Sequence, residues 1–144
     1  MQIQSLGHVV IKVRDRARAE AFYTGVLGLK QVAYYEPLRI SFFSLGDHHD
    51  FAIQAMGADA PRADEKGVGL QHVAFKLGDS LDILRAAKAD LDAAGVATTP
   101  VDHGVTQSLY FQDPDGNTIE VYVDVSDVWR TDPQTVADAR PLKL

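Results

Sequence analysis

Two stretches of the chain repeat one pattern. In LGHVVIKV, Leu6 to Val13, and in LQHVAFKL, Leu70 to Leu77, apolar residues fall on alternate positions, the period of a strand whose side chains point by turns to opposite faces. Val9, Ile11 and Val13 share one face and His8, Val10 and Lys12 the other; Val73, Phe75 and Leu77 oppose His72, Ala74 and Lys76 in the same way. After each strand the period becomes helical: Asp15 leads into Arg16 to Val26, Asp79-Ser80 leads into Leu81 to Ala94, and Gly28 and Gly95 end the two helices. Short strands then return at Gln31 to Tyr35, Ile40 to Leu45 and Asp50 to Met56, and again at Ala97 to Val101, Ser108 to Gln112 and Thr118 to Val123. The pattern reads βαβββ twice.

This predicts an α+β fold in which two βαβββ modules form a curved mixed sheet around a polar concavity. The expected organisation is a single domain over residues 1–144, built from repeats at about 6–57 and 70–124, with Gly57 to Gly69 (GADAPRADEKGVG) as linker. The tail, residues 125–144, carries Trp129 and Arg130 before a proline-punctuated end and is expected to be a surface or dimer-packing extension. With 144 residues, 46% of them hydrophobic, the chain is long enough to bury a core without staples. The absence of cysteine excludes disulfides, a thiolate nucleophile and zinc-thiolate sites. No long apolar run or secretory leader is read, so the expected location is the cytoplasm, without membrane attachment. Fourteen basic residues against twenty acidic ones, the basic ones scattered, argue against a nucleic-acid partner and for a small molecule.

Alternation turns His8 and His72 away from the helix-covered face, at positions 64 apart (72 minus 8) that are equivalent in the repeat. In the last strand Ile119, Val121 and Val123 form an apolar face and Thr118, Glu120 and Tyr122 a polar one. A sheet curved around the polar face brings His8, His72 and Glu120 together as two imidazoles and a carboxylate, the ligand type of a non-haem Fe(II) site with open positions. The competing reading is structural: two hydrogen-bonded strand histidines, and a DPDG hairpin, Asp113 to Gly116, that merely reverses the chain.

The segments LGHVVIKV with FYTGVLGL, then HHDFAI, LQHVAFKL, DHGVTQSLYF and DPDGNTIEVYVD, spread over most of residues 6–124, resemble the vicinal-oxygen-chelate superfamily (glyoxalase, bleomycin resistance, dioxygenase), and within it the single-domain type I extradiol ring-cleavage dioxygenases. The resemblance implies that His8, His72 and Glu120 are the metal ligands, for Fe(II) with Mn(II) as the alternative. It implies His49 as acid-base histidine, His103 as a hydrogen-bonding partner of substrate or oxygen, and Tyr110 as a phenol on the substrate oxygen. The implied reaction is cleavage of a catechol by O2 next to the diol, in a homodimer or higher homo-oligomer, with Val10 and Ala74 leaving room for the ring. Gln54 is taken as the first-repeat counterpart of Glu120, a place where glyoxalase-type isomerases carry a fourth ligand. Two alternatives stand beside this: a metal-dependent isomerase or lyase of the glyoxalase type, and a metal-free small-molecule-binding resistance protein of the same fold.

Overall fold

The computed structural model describes residues 1–62, 64 and 66–144, so that Ala63 and Glu65 of the expected linker lie outside the described residues. The chain divides into two compact units, residues 1–67 with 114–116, and residues 68–113 with 117–144.

The first unit opens with β1 (Val9–Val13) and α1 (Arg16–Ala21), which continues as a π-helical turn over Phe22–Val26. Asp15 caps α1, its carboxylate accepting from the Arg18 N–H at 2.8 Å. Strands β2 (Lys30–Tyr35), β3 (Ile40–Ser44) and β4 (Phe51–Ala55) complete a four-stranded mixed sheet of order β1-β4-β3-β2, with β1 and β4 parallel. Ile11 and Val13 are buried as alternation requires, and Ala19 and Tyr23 are fully buried with them. The Tyr23 ring packs 4.9 Å from Phe51 and 6.0 Å from Phe43, so the core here is largely aromatic.

The second unit repeats the plan with β5 (Val73–Gly78), α2 (Leu81–Ala93), β6 (Thr99–Asp102), β7 (Thr106–Gln112) and β8 (Thr118–Asp124). Its sheet runs β5-β8-β7-β6-β9, where β9 is Arg140–Pro141, with β5 and β8 parallel. Ser80 caps α2 by accepting from the Asp82 N–H, and Gly95, at φ +73°, ends it in the left-handed region that a residue with Cβ adopts only with strain. Leu84 and Leu91 fall on one side of α2 and are buried, each contributing about 1.5–3 kcal/mol of transfer free energy.

Three details depart from the expected pattern. His8 and His72 stand immediately before their strands, which begin at Val9 and Val73, and not inside them. Leu77 is 38% exposed because the β5–β8 register shifts between Lys76 and Gly78, which breaks the alternation at that point. The tail adds a strand, β9 (Arg140–Pro141), antiparallel to β6. Among the described residues, no helix is long and apolar enough to cross a membrane.

Candidate functional site

In the second unit, β7 and β8 are joined by the Asp113–Asn117 link, where the Asp113 carboxylate accepts from the backbone and side-chain amides of Asn117, each at 2.8 Å. The resulting register sets Tyr110 directly opposite Glu120, and the parallel pairing with β5 sets Ala74 beside it. Glu120 is only 6% exposed, and a carboxyl group so placed needs hydrogen-bond partners. Its Oε1 accepts from the Ser108 hydroxyl at 2.5 Å, and its Oε2 lies 3.0 Å from Nε2 of His72. The Nδ1 of His72 bonds the side-chain oxygen of Gln71, so one ring nitrogen meets an amide oxygen and the other meets the carboxylate.

His103 sits in the turn between β6 and β7. Gly104 adopts φ +76°, and its N–H donates to the Asp102 carboxylate at 2.7 Å, an Asx turn that closes with His103 N–H donating to the Thr106 carbonyl at 2.9 Å. The Nδ1–H of His103 donates to the Asp138 carbonyl at 2.7 Å, and Nε2 is bonded to the Tyr110 hydroxyl at 3.0 Å. Burial pushes the Tyr110 phenol well above its ordinary range, and the neighbouring Glu120 carboxylate pushes it further. Tyr110 therefore stays protonated and acts as a hydroxyl. The rings of His72 and His103 flank it at 5.4 and 6.0 Å.

The first unit holds the remaining candidates. The His8 ring lies 4.3 Å from His49, which also meets Phe42 at 5.2 Å and His48 at 4.6 Å. Burial lowers the His49 pKa, and the charges of His8 and His48 lower it further, favouring the neutral imidazole that accepts a proton. His48 is exposed and bonds the neighbouring Asp47 carboxylate at 3.0 Å. Gln54 is not the counterpart of Glu120. It pairs with Lys12 and donates to the Leu38 carbonyl at 3.2 Å, whereas Ala52 pairs with Val10 as Glu120 pairs with Ala74. Matching sheet registers, and not flanking isoleucines, decide equivalence, and by that measure Phe42 is the counterpart of Tyr110. Either residue leaves the first-repeat strand without a carboxylate at that place.

The structure thus brings His72, His103, Tyr110 and Glu120 together in one unit and His8 with His49 in the other. Imidazole nitrogen and carboxylate oxygen, facing each other at 3.0 Å and each steadied on its far side by Gln71 or Ser108, are a donor pair that suits a first-row divalent metal. Within neither unit, among the described residues, do three His, Asp or Glu side chains gather into a metal-holding group. The polar face of the second sheet opens into a cavity of about 480 Å³ whose lining includes His103, Tyr110 and Glu120 together with Trp129 and Val136 from the tail. Sequence reasoning missed Ser108, although it shares strand parity with Tyr110 across from Glu120. It also missed Trp129 and Val136, which no periodicity marks.

Residues 5–121 match the Glyoxalase/Bleomycin resistance protein/Dioxygenase superfamily. The chain is 34% identical over 123 residues to biphenyl-2,3-diol 1,2-dioxygenase 3 of Rhodococcus globerulus, a match that covers 83% of this chain and 63% of that protein's length. It is also 30% identical over 122 residues to a probable lactoylglutathione lyase of Vibrio cholerae, covering 79% of this chain and 86% of the lyase. Among solved structures, a glyoxylase/bleomycin resistance protein/dioxygenase domain from Frankia superposes with a TM-score of 0.72 at 23% identity, over 85% of this chain and 99% of that one, which shows the shared fold. Repeated βαβββ modules and a match over most of the chain agree: the protein belongs to the glyoxalase/bleomycin resistance protein/dioxygenase superfamily.

Proposed function

We propose that the chain is an extradiol ring-cleavage dioxygenase acting on a catechol-type diol, with His8, His72 and Glu120 as ligands of Fe(II). The observation that carries this reading is the arrangement in the second unit, where His72 meets the buried Glu120 while Tyr110, directly opposite, is bonded to His103. A bound Fe(II) would supply a Lewis acid at which diol and dioxygen are held side by side. Tyr110, protonated throughout, presents its hydroxyl to a substrate oxygen, and Nε2 of His103 takes up or returns that hydrogen bond. His49, held neutral, accepts the proton that a diol gives up on binding. The similarity to a biphenyl-diol dioxygenase supports the assignment.

The similarity to a lactoylglutathione lyase favours a second reading, a metal-dependent lyase. Ala52 weighs against it, because the first-repeat position that carries a fourth ligand in glyoxalase-type enzymes offers only a methyl group. Homo-oligomerisation belongs to the same proposal, supported by the exposed Tyr35, Leu38 and Leu45 of the first unit. The test is anaerobic Fe(II) titration of the parent chain and of His8→Ala, His72→Ala and Glu120→Ala. All three variants should keep the parent's circular dichroism and lose tight iron binding. Any one that binds iron as tightly as the parent removes that residue from the ligand set.

A further inference from the structure

The tail after β8 is fastened at both ends to the second unit. The N–H groups of Val125 and Ser126 donate to the Val105 carbonyl at 2.9 and 3.2 Å, and β9 pairs with β6 at the far end, where Leu142 N–H donates to the Pro100 carbonyl at 3.3 Å. His103 adds a third tie through the Asp138 carbonyl. Between these points two short 3-10 turns, Val128–Arg130 and Pro133–Ala137, carry Trp129 and Val136 into the lining of the cavity. Trp129 remains 42% exposed and Val136 57%, so both spend apolar surface on an open space instead of on a core. The Arg130 guanidinium lies 4.6 Å from the centroid of the Trp129 ring, one contact that holds the indole in place.

The cavity is therefore assembled from two sources. The sheet supplies its polar groups, Glu120 and Tyr110 among them, and the tail supplies an aromatic face and a branched aliphatic group. A single benzene ring fills an apolar cavity of roughly 150 Å³, and the cavity here is about 480 Å³. A diol seated on the polar groups leaves room beside it for a second flat ring, and an indole face is the surface such a ring packs on. We propose that Trp129 and Val136 determine the specificity of this pocket by holding a flat apolar substituent of the bound diol against the tail. This inference rests on the diol-cleaving reading given above.

Trp129 is the only tryptophan in the chain, so its fluorescence reports on this wall alone. The experiment titrates the whole Fe(II)-reconstituted protein anaerobically with 3-phenylcatechol and with catechol, following Trp129 emission and, in parallel, heat of binding. The same calorimetry is run on Trp129→Ala, Trp129→Phe and Val136→Ala. The expected result is quenching by 3-phenylcatechol and a preference for it over catechol that Trp129→Ala reduces by about tenfold. Trp129→Phe should keep most of the preference, which separates loss of the aromatic wall from a disturbed tail, and Val136→Ala should lower it by a smaller factor. If catechol binds and 3-phenylcatechol gains nothing over it, or if Trp129→Ala leaves the ratio unchanged, the role of the tail is refuted while the diol reading stands. If neither diol binds the parent protein, the diol reading itself falls and takes this inference with it.

Discussion

Replacing Ser108 with alanine removes one hydroxyl from beside the buried carboxylate of Glu120. Ser108 is fully buried, Glu120 is 6% exposed, and their hydrogen bond is 2.5 Å long, so water cannot readily replace the lost donor. Hydrogen bonds to charged groups contribute about 1.5–3 kcal/mol, and leaving a buried partner unsatisfied moves the cost toward the upper part of that range. Alanine itself fits the site and avoids burying a hydroxyl, which offsets part of the loss. A net cost of about 2 kcal/mol follows, a shift of roughly 30-fold in the folding equilibrium. In urea denaturation of the metal-free protein at pH 7 this corresponds to a midpoint lower by roughly 1 M with an unchanged slope. The same substitution frees the carboxylate to rotate, so Fe(II) affinity should fall by about 10- to 100-fold, as it does when partners of metal ligands are removed elsewhere. In a Glu120→Gln background the stability cost should shrink, because the charge that strengthened the bond is gone. A midpoint equal to the parent's, or an equal cost in both backgrounds, would refute the view that Ser108 steadies this carboxylate.

Asp115, in the turn after β7, accepts from the Arg14 backbone at 2.9 Å, the Arg14 guanidinium at 2.9 Å and Arg18 at 2.5 Å. Burial alone would raise its pKa, but the hydrogen bonds from Arg14 and the charges of Arg18 and Arg14 outweigh it and hold the carboxyl below its ordinary value. A lowered native pKa stabilises the fold above the unfolded value of about 4, and that contribution is lost as pH falls through the native one. Asp115→Asn should therefore be less stable than the parent at pH 7, and the gap in denaturation midpoint should close below about pH 4; a gap independent of pH would contradict the ion-pair account. His49→Gln should retain iron and diol binding while turnover drops by roughly 10²- to 10⁴-fold, and His48→Gln, altered in the same turn, should change little; equal losses in steady-state rate would remove His49 from the acid-base role. Tyr110→Phe should keep the metal and lose part of the rate, since it deletes the hydroxyl bonded to His103, and an unchanged kcat would reduce Tyr110 to packing.

The repeat, the caps and most strands were legible because each rests on local physics. Period-two alternation marked β1 and β5, Asp15 and Ser80 announced their helices, and the same parity rule put Glu120 on the polar face of β8. What failed depended on register, which a single strand does not encode. Gln54 looked equivalent to Glu120 because isoleucines precede both, yet pairing with β1 shows Ala52 in that place. Leu77 left the core because a bulge, visible only in the β5–β8 ladder, shifted it. The tail was illegible for a different reason. Its 3-10 turns and two-residue strand carry no periodicity, and Trp129 reaches the cavity because the tail around it is tied to Val105, His103 and β6, each distant in sequence from the indole.

The central claim, that this fold cleaves a catechol next to its diol, is tested most directly by the fate of dioxygen. The Fe(II)-loaded protein is supplied with a catechol and oxygen-18 gas, and the product is examined by absorbance and mass spectrometry. The account predicts a yellow ring-opened hydroxy-acid aldehyde in which the bond beside the two hydroxyl carbons is broken and both atoms of one O2 molecule are incorporated. Recovery of an intact ring, or oxygen uptake that oxidises the diol to a quinone with no label in the product, would contradict it.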